Sequence, residues 1–150
     1  MPKWPVPVLS QTTPNMCWEA CARMMWQWRH KNTTHYVARA GAFATRNTGL
    51  TQLQMDAFYK QLGMRSLPNS KGANLRHALK WSPVIFTDVN QASGHAMVLT
   101  GYDAARYTVA NPCAVQALDF ESGSNTCSAG TLQRTENQVE RPLGSFIWYW

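Results

Sequence analysis

Two hydrophobic rhythms divide the chain. Cys17, Cys21, Met24, Met25 and Trp28 recur at three- and four-residue steps until the polar run Arg29-His30-Lys31-Asn32, the spacing of a helix buried along at least one face. Thr13-Pro14-Asn15 supplies its start just before Cys17, because proline is tolerated in a first turn and Thr or Asn can cap. Residues 6–9 form a short extended lead-in between prolines, and residues 33–49, with the small run Ala40-Gly41-Ala42, read as loop with room for one helical turn. Thr51 and Gln54 have capping-box spacing ahead of a helix carrying Leu53, Phe58 and Leu62, which Gly63 can stop. A shorter helix over 73–80 ends at Trp81-Ser82-Pro83.

After Pro83 the period changes. Segments 84–89, 95–102, 107–110 and 115–120 are short, apolar and bounded by Gly, Pro, Asn or Asp, the marks of antiparallel strands. Residues 101–106 make a hairpin connection, and 144–150 a terminal strand with alternating aromatics. The expected architecture is α+β: a helical first half packed on an antiparallel sheet. No repeat, low-complexity tract or linker interrupts it, so residues 1–150 are expected to form a single domain.

Composition narrows the class. Hydrophobic residues at 45% against 15% charged exclude a disordered chain, and seven tryptophans supply large apolar area. The net charge of +6 invites a nucleic-acid reading, yet the basic residues are spread singly from Lys3 to Arg141, without the Lys/Arg run that phosphate tracking favours. The charge fits a solvated surface that can steer toward an acidic protein partner; no nucleic-acid partner is expected. Prolines interrupt the N-terminal segment where a secretory signal would be apolar, and nowhere do about 18 apolar residues run together. Neither a cleaved signal nor a membrane partner is therefore expected.

The chemistry lies in a sparse set of residues. Gln11 stands six positions before Cys17, Ser93-Gly94-His95 opens one strand, and Asn111-Pro112 follows another. A thiol is mostly protonated at neutral pH, so a nucleophilic cysteine needs a setting that favours its thiolate; a helix N-terminus provides one, a neighbouring imidazolium another. Cys17 is thus the candidate nucleophile, His95 its base and later its acid, and Asn111 the group that orients the imidazole. Gln11, with the Cys17 backbone N–H, would donate to the oxyanion of a tetrahedral intermediate. Asp103 is a rival orienter, disfavoured by its place in the hairpin turn at the strand's far end. Ser93 and Gly94 are candidate substrate-binding positions, Gly94 because it leaves room for a substrate chain. Trp18 lines the cleft, packs in the core, or both. Cys21, one turn deeper, reads as core, and His30, His35 and His77 as surface residues. Cys113 and Cys127 flank a hairpin-like segment and are either bridged or free thiols. Cys17-x3-Cys21 is a poor zinc half-site, and no metal or cofactor is expected.

Gln-x5-Cys-Trp, then Gly-His, then Asn-Pro resembles the papain-like cysteine peptidases. Residues 17–24, 81–86 and 95–101 look most like small bacterial effector peptidases of the Avr type and, more distantly, the double-glycine peptidases that trim bacteriocin leaders. The resemblance covers about Pro7 to Pro112. It implies a papain-like fold, a helical lobe bearing Cys17 on a twisted antiparallel sheet bearing His95 and Asn111, and hydrolysis of peptide bonds in proteins. Avr-type members place Asp where this chain has Asn111, whereas papain uses Asn.

The resemblance further implies a toxin or effector domain, secreted by a specialised system without a cleaved signal. It would act in the cytoplasm of a target cell, in virulence or interbacterial competition, and a producer attacking rivals needs a cognate immunity protein. A cleft walled by tryptophans would favour a cut next to glycine. The alternatives are a peptidoglycan amidase or peptidase, which often orients its base with a second histidine rather than Asn, and a protein deamidase with the same Cys-His chemistry.

Overall fold

A computed structural model describes residues 2–13, 15–70, 72–90, 94–119 and 124–150, with only the backbone described over 114–119 and 124–127. Helix α1 runs Cys17–His30, α2 Tyr36–Ala40, and a single 3-10 turn Gly41–Thr45. They are followed by α3 (Gln52–Leu62), β1 (Arg65–Pro68), α4 (Ala73–Leu79), β2 (Val84–Asp88) and β3 (His95–Asp103). The chain closes with β4 (Arg106–Asp119), β5 (Ser124–Thr135), α5 (Glu136–Glu140) and β6 (Phe146–Tyr149). The architecture is α+β, as expected. No described helix is long and apolar enough to cross a membrane.

Helix α3 forms where its capping box predicts: Thr51 Oγ1 accepts from the Gln54 N–H, the Gln54 side chain accepts from the Thr51 N–H, and Gly63 ends the helix at φ 105°. Helix α1 also starts at Cys17, but neither Thr13 nor Asn15 caps it. Met16 holds the cap position, where its thioether offers no strong capping acceptor, and the Thr13 carbonyl accepts from the Met16 N–H at 3.2 Å. The first-turn amides of α1 are therefore not blocked by a capping side chain.

The six strands form one sheet in the order β1-β6-β2-β3-β4-β5, antiparallel at every contact. Strand alternation sends residues to two cores. Ile85, Ala96, Val98, Ala110 and Trp148 face α1 and α3, joining Trp18, Met24, Phe58 and Tyr59. Phe86, Met97, Leu99, Val109 and Ile147 face the other way, against Leu75 and Leu79 of α4. The sheet is thus covered on both faces, which is why β2 and β3 are buried along nearly their whole length.

Three expectations change. The separate strand over 115–120 is the continuation of β4, which crosses an irregularity between Asn111 and Val115 and pairs with the unanticipated β5. Strand β1 was not visible as a pattern, because its registry comes from β6: Arg65 lies opposite Tyr149 and Pro68 opposite Phe146. Helix α5 has its own capping box, Thr135 with Gln138, that the sequence reading passed over.

Candidate active site

The site is assembled where the start of α1 meets the first residue of β3. Cys17 is half-buried, and its Sγ accepts the Ala96 backbone N–H at 3.4 Å, so the sulfur rests one residue from His95. Burial pushes the Cys17 thiol up from its ordinary value of 9.0; the N–H groups of Ala96, Trp18 and Cys17 itself oppose that rise by favouring the thiolate. The uncapped first turn of α1 is what leaves the last two of these amides to the sulfur.

His95 opens β3, and its Nε2 lies 2.7 Å from Asn111 Oδ1. The Cys113 backbone N–H donates to the same Oδ1 at 3.0 Å, which fixes which end of the Asn111 amide is oxygen. Since that oxygen only accepts, His95 Nε2 carries the proton of the neutral ring and Nδ1 is left as the basic nitrogen. Burial lowers His95 from its ordinary 6.5, while the Asn111 bond and the charge of Asp88 raise it. Asn111 is buried and tied to the sheet by β4, whose Ala110 stands opposite Val98 of β3.

Gln11 lies buried beside this pair. Its backbone N–H donates to the Pro112 carbonyl at 3.1 Å, the residue after Asn111, and its amide nitrogen donates to the Thr13 carbonyl at 2.9 Å. The lead-in loop is also tied down by Ser10, whose hydroxyl accepts from the Ala129 N–H at 2.9 Å and whose carbonyl accepts from Arg23 Nη2 at 3.2 Å. Cys17, His95, Asn111 and Gln11, scattered over a hundred residues of chain, are thus gathered at one end of the sheet.

Trp18 takes the core role and not the cleft role. It is 1% exposed, its indole N–H donates to the Thr48 carbonyl at 3.0 Å, and its ring meets Phe58 edge-on. The reason is the 100° step of a helix: a residue next to Cys17 turns its side chain toward the α3 layer. Trp26 and Trp148 are buried too, and Trp81 stands exposed on the loop before β2. Gly94 adopts φ 72°, and among the described residues the nearest atom a Cβ there would meet is the Asp88 carbonyl at 4.0 Å. Ser93 lies outside the described residues.

Asp103 ends β3 at the hairpin with Arg106, the opposite end from His95, and takes no part. Asp88 stands directly opposite His95 across the β2–β3 ladder. Only strand register reveals it. Cys21 is fully buried and free, as expected of a core thiol, and burial pushes it well above its ordinary 9.0. Cys113 is disulfide-bonded; the side chain of Cys127 lies outside the described residues. His30, His35 and His77 are exposed. A cavity of about 600 Å³ lined by Trp26, His30, His35, Arg39 and Trp150 opens at the far end of α1 and is separate from this site.

The family model described as papain-like cysteine protease AvrRpt2 matches residues 3–127. Comparison with curated proteins finds no match. Among solved structures, the chain is similar to a double glycine motif protease from an AMS/PCAT transporter, solved in complex with the leader peptide. That likeness has a TM-score of 0.65 at 16% identity and covers 99% of this chain and 94% of the other. It is similar also to the peptidase domain of Streptococcus ComA, a bifunctional ABC transporter involved in a quorum sensing pathway, with a TM-score of 0.62, 14% identity, and 93% of each chain covered. A C39-like peptidase from Bacillus anthracis gives 0.60 at 16% identity, over 97% of this chain and 94% of that one. At these identities the structural likeness establishes the fold, which is papain-like.

Proposed function

Because the chain belongs to the AvrRpt2 family of papain-like cysteine proteases, we propose that Cys17, His95, Asn111 and Gln11 carry its peptidase chemistry on proteins of a target cell. Cys17 gives its proton to His95 Nδ1, and the sulfur attacks the scissile backbone carbonyl. Gln11 and the Cys17 N–H donate to the oxygen that becomes negative. The intermediate collapses as His95 returns the proton to the leaving amine, leaving a thioester. Water, deprotonated by His95, then releases the acid. Asn111 holds the imidazole with Nδ1 toward the sulfur throughout. The observation that carries this reading is the pair of contacts at the start of β3: Ala96 N–H on Cys17 Sγ at 3.4 Å and His95 Nε2 on Asn111 Oδ1 at 2.7 Å.

The substrate is an extended peptide segment cut next to glycine. Two observations support this: among the described residues only the Asp88 carbonyl, at 4.0 Å, comes near the place a Cβ on Gly94 would take, and the fold is like that of a double glycine motif protease solved with its leader peptide. The biological reading is an effector or toxin domain, delivered by a specialised secretion system without a cleaved signal and active in the target cell's cytoplasm. It is supported by the AvrRpt2 family match. A producer that attacks rival bacteria would pair it with an immunity protein covering the Cys17 cleft.

The test is a map of new protein N-termini after adding the chain, or its Cys17→Ala variant, to bacterial and plant lysates. New termini that arise only with intact Cys17, and that follow or precede glycine, support the reading. Equal termini with both proteins would overturn it, and amidated or deamidated products without backbone cleavage would replace it with the alternative chemistry.

A further inference from the structure

Resting on the proposed Cys17–His95 pair, we infer that Asp88 is a positioning residue for His95, its carboxylate favouring the protonated imidazole that forms when Cys17 gives up its proton. Three geometric facts lead there. Asp88 and His95 are directly opposed in antiparallel register, the last residue of β2 against the first of β3. Directly opposed residues hold their Cβ atoms about 4.5–5.5 Å apart on one face of a sheet. The face is shared: Phe86, Met97 and Val109 line one side, and Asp88, His95 and Asn111 each stand two residues farther along the same three strands.

The second line of argument is charge. Asn111 gives His95 an acceptor but no charge, so a buried imidazolium needs its compensation from elsewhere. The groups around the ring can be named element by element. Helix α1 brings the Cys17 thiol, β4 the neutral Asn111, the lead-in loop the neutral Gln11, and β2 the Asp88 carboxylate. The segment after α5 brings Pro142 and Leu143 against β2, with Arg141 just before them. Among the described residues, Asp88 is the carboxylate whose charge acts on His95, and it acts in the direction that favours the proton. Asp88 is itself fixed: its Oδ1 accepts the Asn90 N–H at 2.9 Å, and its backbone bridges to Leu143. These contacts hold the carboxylate at the end of β2, opposite His95 in register.

The experiment uses Asp88→Asn, which keeps a carbonyl acceptor for Asn90 while removing the charge, with Asp88→Glu as the conservative rescue. Two readouts need no substrate. One is the titration midpoint of His95 followed by NMR in the Cys17→Ala background. The other is the rate at which iodoacetamide alkylates Cys17 as a function of pH. Asp88→Asn should lower the His95 midpoint by about half a pH unit or more and slow alkylation at neutral pH about tenfold, at an unchanged melting temperature. Asp88→Glu should restore both. An unchanged midpoint and alkylation profile in a folded Asp88→Asn protein overturns the inference, provided His95→Ala slows alkylation. If His95→Ala leaves alkylation of Cys17 unchanged, the Cys17–His95 pair itself fails and the role of Asp88 falls with it.

Discussion

The backbone N–H of Ala96 points at the sulfur of Cys17 across 3.4 Å, joining the first turn of α1 to the second residue of β3. A weak donor to a thiol becomes a charge-assisted donor to a thiolate, so the contact strengthens as the sulfur ionises. It also fixes the sulfur one residue along β3 from His95, the proposed acceptor of its proton.

Iodoacetamide at neutral pH should label Cys17 ahead of Cys21, which is fully buried, and ahead of Cys113, which is disulfide-bonded. Peptide mass mapping of the modified protein reads the order. Cys17→Ala should abolish cleavage without changing the melting temperature, and residual turnover in that variant would remove the sulfur from the mechanism.

The pH profile follows from burial of both partners. The Cys17 thiol is pushed above its ordinary 9.0 and the His95 imidazole below its ordinary 6.5. Acid stops the reaction by protonating Nδ1, and because His95 is lowered this loss begins below pH 6.5. Alkali removes the proton owed to the leaving amine, and because Cys17 is raised this loss begins above pH 9.0. The plateau of kcat/KM between the two limbs should therefore be broad. A narrow bell centred near neutrality would contradict it.

Asn111→Ala takes away the acceptor that raises His95, so the acid limb should move to lower pH while kcat/KM falls on the order of 100-fold. Asn111→Asp keeps an oxygen for the Cys113 N–H and adds a charge. Its acid limb should move the other way, to higher pH. Two shifts of the same sign would mean that Asn111 acts only by packing.

Gln11→Glu preserves volume while replacing the amide donor, so kcat should drop about 100- to 1,000-fold with KM nearly unchanged. Steady-state kinetics on one cleaved peptide separates the two parameters. A rise in KM alone would place Gln11 in substrate binding and out of oxyanion stabilisation.

Trp18→Ala should destabilise the protein by about 3–5 kcal/mol in denaturant titrations, since the ring is buried against Phe58 and its N–H is held by Thr48. A cleft residue would instead leave stability intact and change KM.

The grouping of the candidate residues was legible from the sequence because it follows residue type and order: Gln11, Cys17, His95 and Asn111 each stand next to an element boundary marked by Pro, Gly or a hydrophobic run, and the fold brings them to one end of the sheet. Helix α3 was legible for the same reason, its Thr51, Gln54 and Gly63 acting through local bonds. Asp88 was not, because its relation to His95 is set by register between two strands separated by a turn. Strands β1 and β5 were hidden likewise. Neither carries an apolar alternation of its own, and each is held by backbone pairing to a neighbour, β6 or β4. Trp18 misled in part because one helical step decides whether a side chain meets solvent or core, and that step is invisible until the partner layer is known.

Strand β6 is wedged between β1 and β2, with Tyr149 opposite both Arg65 and Val84 and with the Trp148 indole bonded to Asp56. The strand works as a keystone: it joins β1, and through Asp56 helix α3, to the four-stranded part of the sheet that carries His95 and Asn111, so a substitution that loosens Trp148 would reach the scaffold of the site from two strands away.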